Sequence, residues 1–114
     1  LQEHVIRNRS KEQKDVLSER FIRRVFTQVM NGLREVHSNR LLHLDVKPAN
    51  IYLRMDGTPI LLDFGAARQT LQRDISKTYP MYTPGFAAPE LYKRDAELGP
   101  WTDVYSIGAC IYAC

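Results

Sequence analysis

The chain has 114 residues, 44% hydrophobic and 25% charged, with 16 Lys and Arg against 13 Asp and Glu for a formal net charge of +3. That is the composition of one globular domain or part of one; it excludes a chain disordered throughout and a simple coiled coil. The mild basic excess falls mostly on the first helical segments without clustered aromatics, so it reads as a solvated helix surface and no nucleic-acid partner is expected.

In chain order, Leu1 to Lys14 is polar and basic, and reads as a short helix followed by a charged loop. An amphipathic helix is predicted from Ser18 to about His37. Ile22, Val25, Phe26, Val29, Met30, Leu33 and Val36 recur with helical periodicity, Ser18 supplies an N-cap, and Leu17 and Ile22 form a staple across it. The apolar pair Leu41-Leu42 leads into a polar loop, His43 to Asn50. Two short strands, Ile51 to Arg54 and Pro59 to Leu62, flank Asp56-Gly57, a hairpin signal because both turn positions favour positive φ. Phe64 to Pro89 is irregular and polar, and a loop of that length in a compact domain is usually functional. A last helix begins near Trp101 to Asp103 and runs to the end, with Val104, Ile107 and Ile111 expected inward. Cys110 and Cys114, four apart on that helix, lack metal spacing and read as small core residues, which fits a reducing, cytoplasmic setting. Neither a signal peptide nor a run of about 18 apolar residues is visible in the sequence.

If Asp56 and Gly57 are the two turn residues, paired positions sum to 113 and Asn50 faces Asp63 directly. An amide oxygen and a carboxylate converging there are hard ligands suited to Mg²⁺, which keeps several waters and shares itself with phosphates; the alternative is that both merely cap strand ends. In the preceding loop, Asp45 is placed to orient and deprotonate a hydroxyl, and Lys47 to neutralise charge on a phosphoryl group in transfer. Pro48 pushes Lys47 out of the helical region and stiffens the loop.

These residues carry a resemblance. His43-Leu44-Asp45-Val46-Lys47-Pro48-Ala49-Asn50 resembles the catalytic loop of protein kinases, Asp63-Phe64-Gly65 their metal-binding DFG, and Ala88-Pro89-Glu90 the APE that closes their activation segment. Asp103-Val104-Tyr105-Ser106-Ile107-Gly108 is similar to the start of their central buried helix. The stretches Asp63 to Arg68 and Gly99 to Asp103 are similar to bacterial members.

The resemblance implies an α+β kinase-like fold, in which residues 1–114 are the middle of a longer domain: part of its mainly α lobe, with a catalytic β-hairpin. It implies Asp45 as catalytic base, Lys47 at the transferring phosphoryl, and Asn50 and Asp63 holding Mg²⁺ (Mn²⁺ as an alternative) on ATP. His43, Phe64, Gly65, Glu90 and Asp103 would be structural, with Asp103 fixing the backbone of the catalytic loop. Tyr52 matches a position beneath the adenine, and is read either as a nucleotide contact or as core. Lys47 and Thr83 sit where serine/threonine kinases carry a lysine and a threonine, and Thr83 to Glu90 would form the floor for a protein substrate. Leu44 departs from the pattern: it replaces the arginine that pairs with a phosphate on the activation loop. The Gly-rich loop, the strand lysine and its glutamate partner do not occur in these residues, so the fragment alone is expected to be inactive. The parent is expected to transfer phosphoryl groups from ATP to serine or threonine of protein substrates. The alternative is a pseudokinase or kinase-fold interaction module without turnover; a membrane tether of the parent is left open.

Overall fold

The computed structural model describes residues 1–10, 17–63, 68–69, 83–93 and 96–114. Helix α1 spans Gln2–Ser10, and the helix expected from residue 18 is α2, Glu19–Ser38. Ser18 caps it as predicted: its backbone is extended and its Oγ accepts from the Phe21 N–H at 3.2 Å. Val25, Phe26, Val29 and Leu33 are the buried stripe, with Leu17 and Ile22 in the same cluster. Met30, expected inward, is about half exposed at the edge of that stripe.

Strand β1 (Leu41–Leu42) pairs antiparallel with β4 (Arg68–Gln69), a two-residue strand in a stretch that local pattern left irregular. So short a segment has no periodicity of its own and takes its structure from its partner. The polar loop after β1 ends in a 3₁₀ turn, Pro48–Asn50, before the hairpin β2 (Ile51–Leu53) and β3 (Pro59–Leu61).

The hairpin exists, but its register differs from the one read off Asp56-Gly57. Ile51 pairs with Leu61, Tyr52 with Ile60 and Leu53 with Pro59. The loop is one residue longer than a two-residue turn: Gly57 N–H donates to the Arg54 carbonyl, and Arg54 N–H to the Thr58 carbonyl, both at 2.9 Å. Only Gly57 takes positive φ (+87°), the three-residue solution with glycine in the left-handed position. Asp56 stabilises it from outside, its Oδ1 accepting from the Thr58 N–H (2.9 Å) and hydroxyl (2.6 Å). Those bonds hold the Asp56 carboxyl below its ordinary range. Asn50 therefore meets Leu62, whose N–H donates to the Asn50 carbonyl at 2.7 Å, and Asp63 follows one residue later.

Helix α3 spans Pro100–Ala113. Gly99, with extended backbone, precedes it. Its buried face is Thr102, Asp103, Ser106, Ile107 and Cys110, continued by Cys114. Val104 and Ile111, expected inward with Ile107, are exposed instead. The helix is turned so that polar Asp103, rather than its larger apolar neighbours, reaches the loop beneath it. The α2 stripe, Val46, Ile51, Ile107 and Cys110 form the main core, with α2 packed on β1, β3 and α3. Burial pushes the Cys110 thiol up to about 12. Neither cysteine is in a disulfide and both are buried, as small core residues would be. Among the described residues no helix is long and apolar enough to cross a membrane.

Candidate active site

The loop between β1 and the 3₁₀ turn is held from below by one buried carboxylate. Asp103, with no exposed surface, accepts from the His43 N–H through Oδ2 (3.0 Å) and from the Leu44 N–H through Oδ1 (2.8 Å). His37 Nε2 lies 2.8 Å from the same Oδ2. A buried carboxylate is tolerated only when paired and hydrogen-bonded, so these three partners explain both its place and its rigidity. Asp103 thus accepts from two consecutive backbone N–H groups of the loop. His37 was missed by the sequence reading; its position in the last turn of α2 gave no sign of a partner far along the chain.

His43 is wholly buried and bridges two parts of the site. The Asp45 N–H donates to its Nδ1 (3.1 Å), which leaves the ring hydrogen on Nε2, 2.9 Å from the Leu62 carbonyl. One imidazole so ties this loop to the end of the hairpin. Leu44, between these anchors, takes φ of +67°, a conformation that costs a non-glycine residue on the order of 1 kcal/mol. It is held there by the bond to Asp103 and by burial of its side chain beside Leu42 and Leu91.

Four of the candidate residues meet at the surface of this loop. The Thr83 hydroxyl donates to Asp45 Oδ1 at 2.9 Å and accepts from Lys47 Nζ at 3.0 Å. Lys47 Nζ lies 3.6 Å from Asp45 Oδ2, with both side chains largely but not fully covered. The Asn50 amide donates through Nδ2 to the Asp45 carbonyl (2.8 Å) and to Asp45 Oδ2 (3.3 Å). Lys47 has an extended backbone ahead of Pro48, as expected of a residue before proline.

Asp63 is exposed with φ of +60°, a conformation aspartate tolerates better than most residues. It does not face Asn50 in the ladder; the contact that brings the two segments together is one residue earlier, at Leu62. Asn50 commits both amide hydrogens to Asp45, so Oδ1 is the function it has left to offer. With the Asp63 carboxylate beyond it, the donor set is amide oxygen plus carboxylate, which fits a hard divalent cation sharing its sphere with phosphates and water. Tyr52 stands apart on the hairpin, about half exposed and outside the core. Phe64 and Gly65 lie outside the described residues.

Glu90 lies in a second 3₁₀ turn, Pro89–Tyr92, and its Oε1 accepts from the Thr102 hydroxyl at 2.8 Å. Thr102 Oγ1 also accepts from the Gly99 N–H at 3.2 Å. This fully buried threonine, also missed from sequence, fastens the 83–93 segment to the start of α3.

A loop carrying Asp, Lys and Asn, clamped by a buried helix carboxylate and closed over by a threonine from a distant segment, is the arrangement expected of a phosphotransferase lobe. The family model described as protein kinase domain matches residues 2–114, and the chain belongs to that family. It is 38% identical over 96 residues to the serine/threonine-protein kinase STE20 of Eremothecium gossypii, covering 84% of this chain and 10% of that protein. It is 30% identical over 100 residues to the probable serine/threonine-protein kinase MARK-C of Dictyostelium discoideum (88% of this chain, 13% of that protein). Against cyclin-dependent kinase-like 1 of Caenorhabditis elegans it is 35% identical over 102 residues, 85% of this chain and 27% of that protein. The chain therefore spans about a tenth to a quarter of the length of these relatives.

Proposed function

We propose that the protein carrying this chain transfers a phosphoryl group from ATP to serine or threonine hydroxyls of protein substrates. The observation that carries this is Thr83 bonded at once to Asp45 and Lys47, 38 residues along the chain from the aspartate. It joins the segment that would receive a polypeptide to the pair that would act on its hydroxyl.

In this reading Asp45 orients the acceptor hydroxyl and takes up its proton, with Asn50 and Thr83 fixing the carboxylate in one rotamer. Lys47 holds its charge where negative charge grows on the group in transfer. Asn50 Oδ1 and the Asp63 carboxylate would hold Mg²⁺, or Mn²⁺, which would supply charge neutralisation for the nucleotide phosphates. Tyr52, left exposed by the core, is available to pack beneath the adenine. The assignment to the cytoplasm rests on this ATP dependence together with two cysteines that form no disulfide.

The test is to incubate the intact protein with γ-labelled ATP, Mg²⁺ and a mixed protein substrate, and to separate the phosphoamino acids. Phosphoserine or phosphothreonine is expected. Phosphotyrosine alone overturns the substrate class, and no transfer at all favours the interaction module.

A further inference from the structure

The end of the hairpin opposite Asn50 and Asp63 is the turn between Arg54 and Thr58, and α2 packs on β3 beside it. Arg24 of α2 reaches this turn. Its guanidinium carbon lies 6.0 Å from the Phe21 ring centroid, and its Nη2 stands 3.1 Å from the place a Cβ on Gly57 would take. His4 of α1 stacks on the same Phe21 ring, with centroids 6.1 Å apart and planes 10° from parallel. Arg20, one helical turn before Arg24, and Arg54, at the hairpin turn, are both exposed. We propose that this surface docks an acidic segment of a partner protein, with Arg24 receiving one of its carboxylates. The inference goes beyond the phosphotransfer reading and does not depend on it.

Charge and preorganisation select the occupant. Arg20 and Arg24, four apart on an exposed helix face, repel each other. Among the described residues none of Arg20, Arg24 and Arg54 has a carboxylate within ion-pair distance. The acids nearby are committed: Glu19 pairs with Arg23 at 2.8 Å, and Asp56 Oδ1 accepts from the Thr58 N–H and hydroxyl. A carboxylate arriving from outside relieves the repulsion and matches the parallel N–H donors of a guanidinium. Contact with Phe21 and with the turn restricts Arg24 before a partner arrives, so less side-chain freedom is lost on binding. Met55, wholly exposed at the tip of the turn, offers a pliable apolar contact for a residue next to the acid. A basic segment would meet three cations instead. Because the turn and Asn50 lie at opposite ends of the hairpin, a partner docked there does not occupy the place of the acceptor hydroxyl.

The experiment uses the intact protein and fluorescein-labelled peptides with a run of glutamates beside a leucine; the same peptides with lysine or glutamine for glutamate are the controls. Binding is read by fluorescence anisotropy at low and at high salt. The glutamate peptide is expected to bind about tenfold or more tightly than either control, about 1.4 kcal/mol, and to weaken as salt rises. Arg24→Glu should lower that affinity by about tenfold or more, and Arg24→Lys should lower it too, because lysine keeps the charge without the fork. Arg34→Glu makes the same charge change near the other end of α2 and should leave affinity within about twofold. Arg24→Gln, which keeps the length of the side chain closer, should show the loss even where the glutamate variant unfolds. Equal binding of the glutamate and lysine peptides, affinity that survives the Arg24 variants, or the same loss in Arg34→Glu overturns the surface. Retention on phosphatidylserine vesicles without binding of the glutamate peptide overturns it as well. Binding that depends on Arg24 in a protein that transfers no phosphoryl group leaves the docking surface standing and removes the phosphotransfer reading instead.

Discussion

His37 and Asp103, 66 residues apart in the chain, meet at 2.8 Å, and the carboxylate that receives His37 also receives the backbone N–H groups of His43 and Leu44. Asp103→Ala leaves those two buried N–H groups without their acceptor. The unfolding free energy should fall by about 1–3 kcal/mol for each group left unsatisfied. Urea denaturation of the intact protein checks this, and an unchanged midpoint would show that the loop does not depend on this anchor.

Asp45→Asn is expected to lower turnover by roughly 10²–10⁴-fold while leaving folding and nucleotide binding nearly intact. The side chain keeps its shape and can still meet Thr83, yet an amide cannot accept the proton of the attacking hydroxyl. Turnover at the wild-type rate would remove Asp45 from the chemistry.

Asp63→Ala should act differently, weakening Mg²⁺–ATP binding as well as turnover, because it deletes the charged half of the proposed donor set. A metal titration of nucleotide binding reads this directly. Mg²⁺ dependence identical to wild type would sink the assignment of Asn50 and Asp63 as a ligand pair.

Leu44 bears on regulation. It is buried with Leu42 and Leu91, so the loop docks onto the Pro89–Tyr92 turn through apolar packing rather than through a cation awaiting a phosphate. The hydroxyls of Thr70, Ser76, Thr78, Tyr79 and Tyr82 lie outside the described residues; whichever is phosphorylated would find no cationic partner in Leu44. Phosphatase treatment is therefore expected to leave activity nearly flat. A loss of tenfold or more tracking one of these sites or Thr83 by mass mapping would contradict it. Leu44→Ala should cost about 2–5 kcal/mol of stability, read by denaturation.

Cys110 should resist alkylation in the native protein. Its thiol is pushed up to about 12 from an ordinary value near 9, so burial disfavours the thiolate. The folded value lies above the unfolded one. The contribution to stability is therefore complete below about pH 9 and is lost as pH rises toward 12. Iodoacetamide labelling at pH 8 with and without urea checks this; rapid labelling of Cys110 in the native state would contradict it.

Much of the site was legible in the sequence because it is local. Asp45, Lys47 and Asn50 lie within one short loop whose proline dictates the backbone, and α2 declared itself through its periodicity and its Ser18 cap. The hairpin shows where local reading stops. Asp56-Gly57 marks a turn, but the choice between a two- and a three-residue loop is made by the packing of Ile51 and Leu61, and it moves the pairing by one residue.

By itself, then, the sequence determined the residue types, the order of the elements and the loop that concentrates the chemistry, since each of these follows from neighbours a few positions apart. Tertiary structure alone decided which face of α3 turns inward, that His37 and Thr102 serve as anchors, and that Thr83 closes over Asp45. Those outcomes join residues far apart along the chain. Their geometry is set by buried polar groups that must find partners wherever the fold brings them, and no local pattern encodes that requirement.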